Sequence, residues 1–189
     1  TTVASVEEAQ CVLINTCGFI ESAKQEAIDT ILEACSHKAQ NPALKVVVTG
    51  CLAERYQQEI RKEMPEVDAV VGIGSNAAIA SILERLERGE TGIESYGPKA
   101  ALPLSGKRVI STPRHYAYLK IAEGCSNCCT YCAIPLIRGP LRSRTVESCV
   151  AEARWLAGEG VKELIVVAQD ITAFGADRGK VEIARLLDE

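Results

Sequence analysis

Apolar runs alternate along this chain with apolar stripes of helical period. The run from Cys11 to Cys17, ended by Gly18, predicts a buried strand. Ser22 and Gln25 have the spacing of a capping box. Ile28, Ile31, Leu32 and Cys35 then recur on one helical face, and Asn41 and Pro42 stop that helix. Val46 to Cys51 predicts a second buried strand, residues 53–63 a helix closed by Pro65, and Val67 to Val71 a third strand. Ser75 or Asn76 opens a helix whose face is Ile79, Ile82, Leu83 and Leu86, with Gly89 as its stop. From Thr91 to Arg114 the periodicity fades among Gly92, Gly97, Pro98, Pro103, Gly106 and Pro113, which reads as a linker with short extended pieces. Tyr116 to Ala122 predicts a strand. Thr145 caps a helix with Val146, Cys149, Val150, Ala153 and Leu156 on its apolar face, stopped by Gly158 and Gly160. Leu164 to Ala168 predicts a further parallel strand ending in Gln169 and Asp170, and a last helix begins near Val181.

This alternation implies an α/β chain built on mostly parallel sheets. Ligands of such sheets bind beyond the carboxyl ends of the strands. Cys17 and Cys51 both stand there, on strands expected to be neighbours, which favours a shared metal site. Two thiols are too few for a cluster, so a further ligand is expected upstream of Thr1. The second half reads as strand, loop, helix, strand, the opening of a (β/α) barrel, with Cys125 and Gln169 at strand ends. A barrel needs about 200 residues, so only its first part is expected here. The chain starts at Thr1 without Met and ends on Leu186 and Leu187 in a helical pattern, so a piece of a longer protein is expected. Gly72, Gly74 and Ala77 match a dinucleotide fingerprint, but after the third strand rather than the first and without an acidic ribose partner. A tight turn into a helix is the plainer reading.

Composition narrows the function classes. Hydrophobic residues are 47% of 189 and the net charge is −4, which gives no electrostatic footprint for wholesale nucleic-acid binding. No secretory signal and no apolar run long enough to span a bilayer is present. Nine cysteines in that context point to reduced thiols and metal ligation in a cytoplasmic protein.

The candidate chemistry centres on residues 125–132. Cys125, Cys129 and Cys132 are spaced C-x3-C-x2-C. A cubane cluster normally takes four cysteines. Three on one loop leave one iron without a protein ligand, open to a small molecule. Cys125 with Cys128, and Cys129 with Cys132, are also two CxxC pairs, but zinc sites draw their pairs from separated loops and these abut. Cys128 reads as a bystander. Cys11, Cys35 and Cys149 read as core, and His37 and His115 have no ligand spacing around them. Arg138, Arg142 and Arg144 form a basic cluster near the loop, either solvated or holding an anionic group.

With these residues in view, the chain resembles the methylthiotransferases, a branch of the radical S-adenosylmethionine (SAM) enzymes. Residues 15–20 and 49–53 resemble the family's amino-terminal domain; residues 120–125 and 129–135 resemble its radical SAM loop. The resemblance implies an amino-terminal parallel-sheet domain over residues 1–92, a linker over 93–114, and the first part of a radical SAM (β/α) barrel over 115–189. It implies that Cys125, Cys129 and Cys132 bind a 4Fe–4S cluster whose open iron chelates SAM. Cleavage of SAM to a 5′-deoxyadenosyl radical would then start hydrogen abstraction from an unactivated carbon. Cys17 and Cys51 would hold part of a second 4Fe–4S cluster whose third ligand is missing from this chain. Gln169, at a strand end, is a candidate for SAM contact. Gly18 to Ile20, Ile137 to Gly139, and residues 168–170 with Gly175 and Asp177 resemble the branch that adds a methylthio group to the β carbon of an aspartate in a small-subunit ribosomal protein. The alternatives are the tRNA adenosine branch and a non-catalytic iron–sulfur module. The resemblance implies an electron donor such as flavodoxin or ferredoxin, and neither membrane nor DNA as partner.

Overall fold

The computed structural model describes residues 2–106 and 108–189. It divides into two compact units, Thr1–Leu102 and Pro103–Glu189. Thr1, where the first expected domain begins, and Lys107, inside the expected linker, lie outside the described residues.

In the first unit four parallel strands lie in the order β1 (Cys11–Thr16), β2 (Lys45–Gly50), β3 (Ala69–Val71) and β4 (Ile93–Ser95). The middle of β2 and all of β3 are apolar because helices cover them, and Val46, Val47, Val48, Val70 and Val71 have no exposed surface. Strand β1 is an edge, so it is not fully buried as expected: Leu13 is 45% exposed. The fourth strand falls within the segment read as linker.

Helix α1 (Glu21–Ser36) departs from its expected start and face. Ile20 occupies the cap position without a side-chain cap, and Gln25 donates instead to Asp29, so no capping box forms. Ala27, Ile31 and Ala34 are buried, whereas Leu32 is exposed. The small alanines form the stripe against the core, which a search for large apolar residues overlooks. The helix expected over residues 53–63 is two short ones, α2 (Cys51–Arg55) and α3 (Gln57–Glu63), broken at Tyr56. A 3-10 turn (Ile73–Ala78) precedes α4 (Ile79–Glu87), and Gly89 ends α4 at φ +89° as expected. The fingerprint lookalike is also settled by packing. The Glu54 carboxylate accepts the Ile73 N–H at 3.0 Å, where a phosphate would have to sit.

The second unit pairs β5 (Tyr116–Lys120) with β8 (Glu163–Val167) in parallel, as the alternation predicts. The two-residue strands β6 (Ala122–Glu123) and β7 (Arg142–Ser143) pair antiparallel beyond β5. Between them lie the cysteine loop and α5 (Ile134–Arg138). Helix α6 (Val146–Gly158) crosses over from β7 to β8. The Thr145 hydroxyl caps it by accepting the Ser148 N–H at 3.1 Å. Its buried face is Val146, Cys149, Val150 and Leu156, as expected. Phe174 and Leu186, the latter from α7 (Ile183–Asp188), complete this core.

Candidate metal centre

The cysteine loop leaves the carboxyl end of β5 through a tightly held root. Glu123 has no exposed surface, an unusual place for a carboxylate unless it is paired. Lys120 and Arg138 supply the pairing, Arg138 at 3.3 Å, and the Gly124 N–H also bonds it at 3.3 Å. Gly124 then turns at φ +76°. A Cβ there would lie 2.2 Å from the Pro140 carbonyl oxygen, so only glycine fits. The Cys125 N–H donates to the Gly139 carbonyl at 3.1 Å, and the Ser126 hydroxyl accepts the Leu141 N–H at 3.1 Å.

Beyond that root the loop opens to solvent. Cys125 is buried, whereas Cys128 and Cys129 are exposed and Cys132 is half-buried. The Cys132 N–H donates to the Cys129 carbonyl at 3.0 Å, a turn that draws these two positions together ahead of α5. Among the described residues no three His, Cys, Asp or Glu side chains are gathered closely enough to hold a metal ion. The donor set nevertheless fits iron–sulfur ligation. It offers three soft thiols within eight residues, one anchored at the root, one exposed and one half-buried.

The other cysteines divide cleanly. Burial pushes the Cys11 thiol up to about 11, and burial also raises Cys35 and Cys149. All three pack within the apolar clusters, as small hydrophobic residues do. Cys17 and Cys51 differ from them. Thr16 pairs with Gly50 in the parallel register, so the next residue of each strand is a cysteine at the same sheet edge. The Thr16 hydroxyl donates to the Thr49 carbonyl at 2.5 Å and ties the two ends. Gly18 packs so closely on Cys51 and Leu52 that an added Cβ would meet the Leu52 Cα at 2.8 Å. Cys17 is exposed, and Cys51 is buried as the first residue of α2.

Two arginines of the expected basic cluster, Arg138 and Arg144, are taken up by structural pairing. Arg144 is 5% exposed, donating to the Lys120 and Ser148 carbonyls and pairing with Glu152. Arg138 is committed to Glu123. A concavity of about 350 Å³ lined by Arg108, Arg114 and Trp155 lies by the amino-terminal ends of β5 and β8, away from the cysteines. Gln169 is exposed just past β8. Its neighbour Asp170, unnoticed as a site residue from sequence, accepts from Asn127 of the cysteine loop at 2.8 Å. The readable signal was the Asp-x-Thr pattern of an Asx turn at a strand end.

A family model described as "Uncharacterized protein family UPF0004" matches residues 1–72, and that of the radical SAM superfamily matches residues 119–188. The ribosomal protein uS12 methylthiotransferase RimO of Acetivibrio thermocellus is 49% identical over 191 residues, covering 97% of this chain and 42% of that protein. Its namesake in Clostridioides difficile is 48% identical, covering 99% and 42%; that of Thermoanaerobacter sp. is 50% identical, covering 90% and 39%. The chain belongs to the radical SAM methylthiotransferase family. The chain spans about 40% of the length of the curated relatives it matches. Within it, the radical SAM match begins at Leu119 in β5 and so takes in the whole cysteine loop.

Proposed function

We propose that this chain supplies the cofactor-holding part of an enzyme that adds a methylthio group to the β carbon of an aspartate in a small-subunit ribosomal protein. One observation carries the reading. The three-thiol loop leaves the carboxyl end of a parallel β–α–β unit in a chain about half identical to three proteins named as uS12 methylthiotransferases. That shared name favours the ribosomal-protein branch over the tRNA branch.

In this reading Cys125, Cys129 and Cys132 hold a 4Fe–4S cluster with one iron left for SAM, and Cys17 and Cys51 hold part of a second cluster. Bound there, cluster and SAM supply the one-electron chemistry needed to take hydrogen from an unactivated carbon, which no side chain can do unaided. The chain's own residues fix the geometry. Glu123, Lys120 and Arg138 anchor the loop root, Gly124 sets the turn, and the Cys129–Cys132 turn leaves two thiols free to close on metal. The Thr16–Thr49 bond holds the second pair of cysteines at neighbouring strand ends. We assign residues 1–92 to the amino-terminal domain, 93–114 to the linker and 115–189 to the radical SAM domain. An electron donor of the flavodoxin or ferredoxin type and a cytoplasmic setting belong to the same proposal. Among the described residues no helix is long and apolar enough to cross a membrane.

Anaerobic reconstitution tests the cofactors. The protein should turn brown with bound iron and sulfide, and its EPR signal should change when SAM is added. Zinc in place of iron, or no response to SAM, overturns the reading. In the host, Cys125→Ala should abolish a methylthio adduct on a small-subunit ribosomal protein, read by mass spectrometry, and leave tRNA methylthiolation intact. The opposite pattern assigns the chain to the tRNA branch.

A further inference from the structure

The exposed part of the cysteine loop is tied to the turn after β8 through the side chain of Asn127. Asp170 anchors that tie. Its Oδ1 accepts the Thr172 N–H at 3.0 Å, the Thr172 hydroxyl at 2.7 Å and the Ala173 N–H at 3.3 Å. Those bonds fix the carboxylate as an Asx turn. Its other oxygen, Oδ2, accepts Asn127 Nδ2 at 2.8 Å. The backbone N–H of the same Asn127 points back at Cys125 Sγ, 3.5 Å away. Asp170, Asn127 and the Cys125 sulfur thus form one hydrogen-bonded series, running from a rigid turn to the best-anchored thiol of the loop.

We propose that Asp170 and Asn127 are a positioning pair for Cys125, the carboxylate holding the asparagine so that its backbone N–H is aimed at the sulfur. This rests on Cys125 being a cluster ligand. An N–H aimed at a ligating thiolate spreads its negative charge. It therefore favours the reduced, more negative state of a cluster and raises its reduction potential. The pair acts through Cys125, to which the Asn127 N–H points.

Two substitutions at position 170 separate the tie from the charge. Asp170→Ala and Asp170→Asn both remove the negative charge. Only Asn keeps an oxygen for the Thr172 turn and an amide that can bond Asn127 once that side chain turns over. Asn127→Ala breaks the tie with the charge in place. Each protein is reconstituted anaerobically and read for iron and sulfide per chain, and for midpoint potential by redox titration followed by EPR. All variants should load iron and sulfide as the wild type does. Asn127→Ala should titrate at a more negative potential than wild type, and Asp170→Ala at a more negative potential than Asp170→Asn. The pair has no such role if Asp170→Ala and Asp170→Asn titrate together and Asn127→Ala matches wild type. Loss of iron from both Ala variants makes it a scaffold rather than a tuning device, and also overturns the proposal. A wild-type chain that takes up no iron sinks the assignment of Cys125 itself, a failure distinct from the others.

Discussion

At the scale of single residues, two neighbours decide where the cysteine loop begins. Gly124 combines a positive φ with backbone contact on its missing side chain. A left-handed conformation alone costs about 1–2 kcal/mol for a residue with a Cβ. The Pro140 carbonyl cannot swing aside as a flexible side chain would. Gly124→Ala should therefore destabilise by more than about 2 kcal/mol, measured as a lower urea midpoint of Trp155 fluorescence. Trp155 is the chain's single tryptophan. Glu123→Gln keeps the shape but leaves Lys120 and Arg138 facing a neutral amide. Both cations are partly exposed, so water recovers some of the loss. About 2 kcal/mol is expected, the scale of a charged hydrogen bond. Glu123 reads from sequence as one more charge near a strand end. Its burial depends on Arg138, fifteen residues later, folding back over it.

At the scale of elements, local chemistry and packing divide the outcome. The Thr145 cap was legible because a cap is a bond between a residue and its own next turn. Thr145→Ala should cost about 1 kcal/mol, read from the same fluorescence midpoint. The Ser22–Gln25 spacing failed on equally local grounds, because the helix starts at Glu21 and leaves Ser22 already inside its first turn. Asp68, just before β3, clamps two elements. Burial would raise its pKa, but Lys38, the Val46 N–H and Lys45 together hold it below the usual carboxylate value. The ionised form is thus bound more tightly in the folded state. That contribution is fully present above the ordinary carboxylate pKa of about 4 and is lost as pH falls through the lower, folded-state value. Circular-dichroism unfolding at pH 7 and pH 3 should show wild type losing more stability than Asp68→Asn. Equal losses would mean that the clamp carries no charge effect.

At the scale of the whole molecule, each unit has its own buried core. Ile31 is fully buried in the first unit, and Phe174 and Leu156 in the second. Removing most of the Ile31 side chain should cost about 2–5 kcal/mol. Trp155 belongs to the second unit, so Ile31→Ala should shift the circular-dichroism transition while the Trp155 fluorescence transition keeps its midpoint. Matched shifts in both signals would mean that the two units unfold as one. The alternation of periods, the parallel pairing of the long strands and the cysteine spacing were all determined by the sequence alone. Each is a relation among residues near in the chain, or follows from the short connections that βαβ units allow. Tertiary structure decided the rest: which strand lies at an edge, that Glu54 occupies the fingerprint's anion position, that Arg144 belongs to Glu152, and that Asp170 reaches Asn127 across 43 residues. Those outcomes turn on which distant groups arrive close enough to desolvate and bond one another, a quantity that no local pattern encodes.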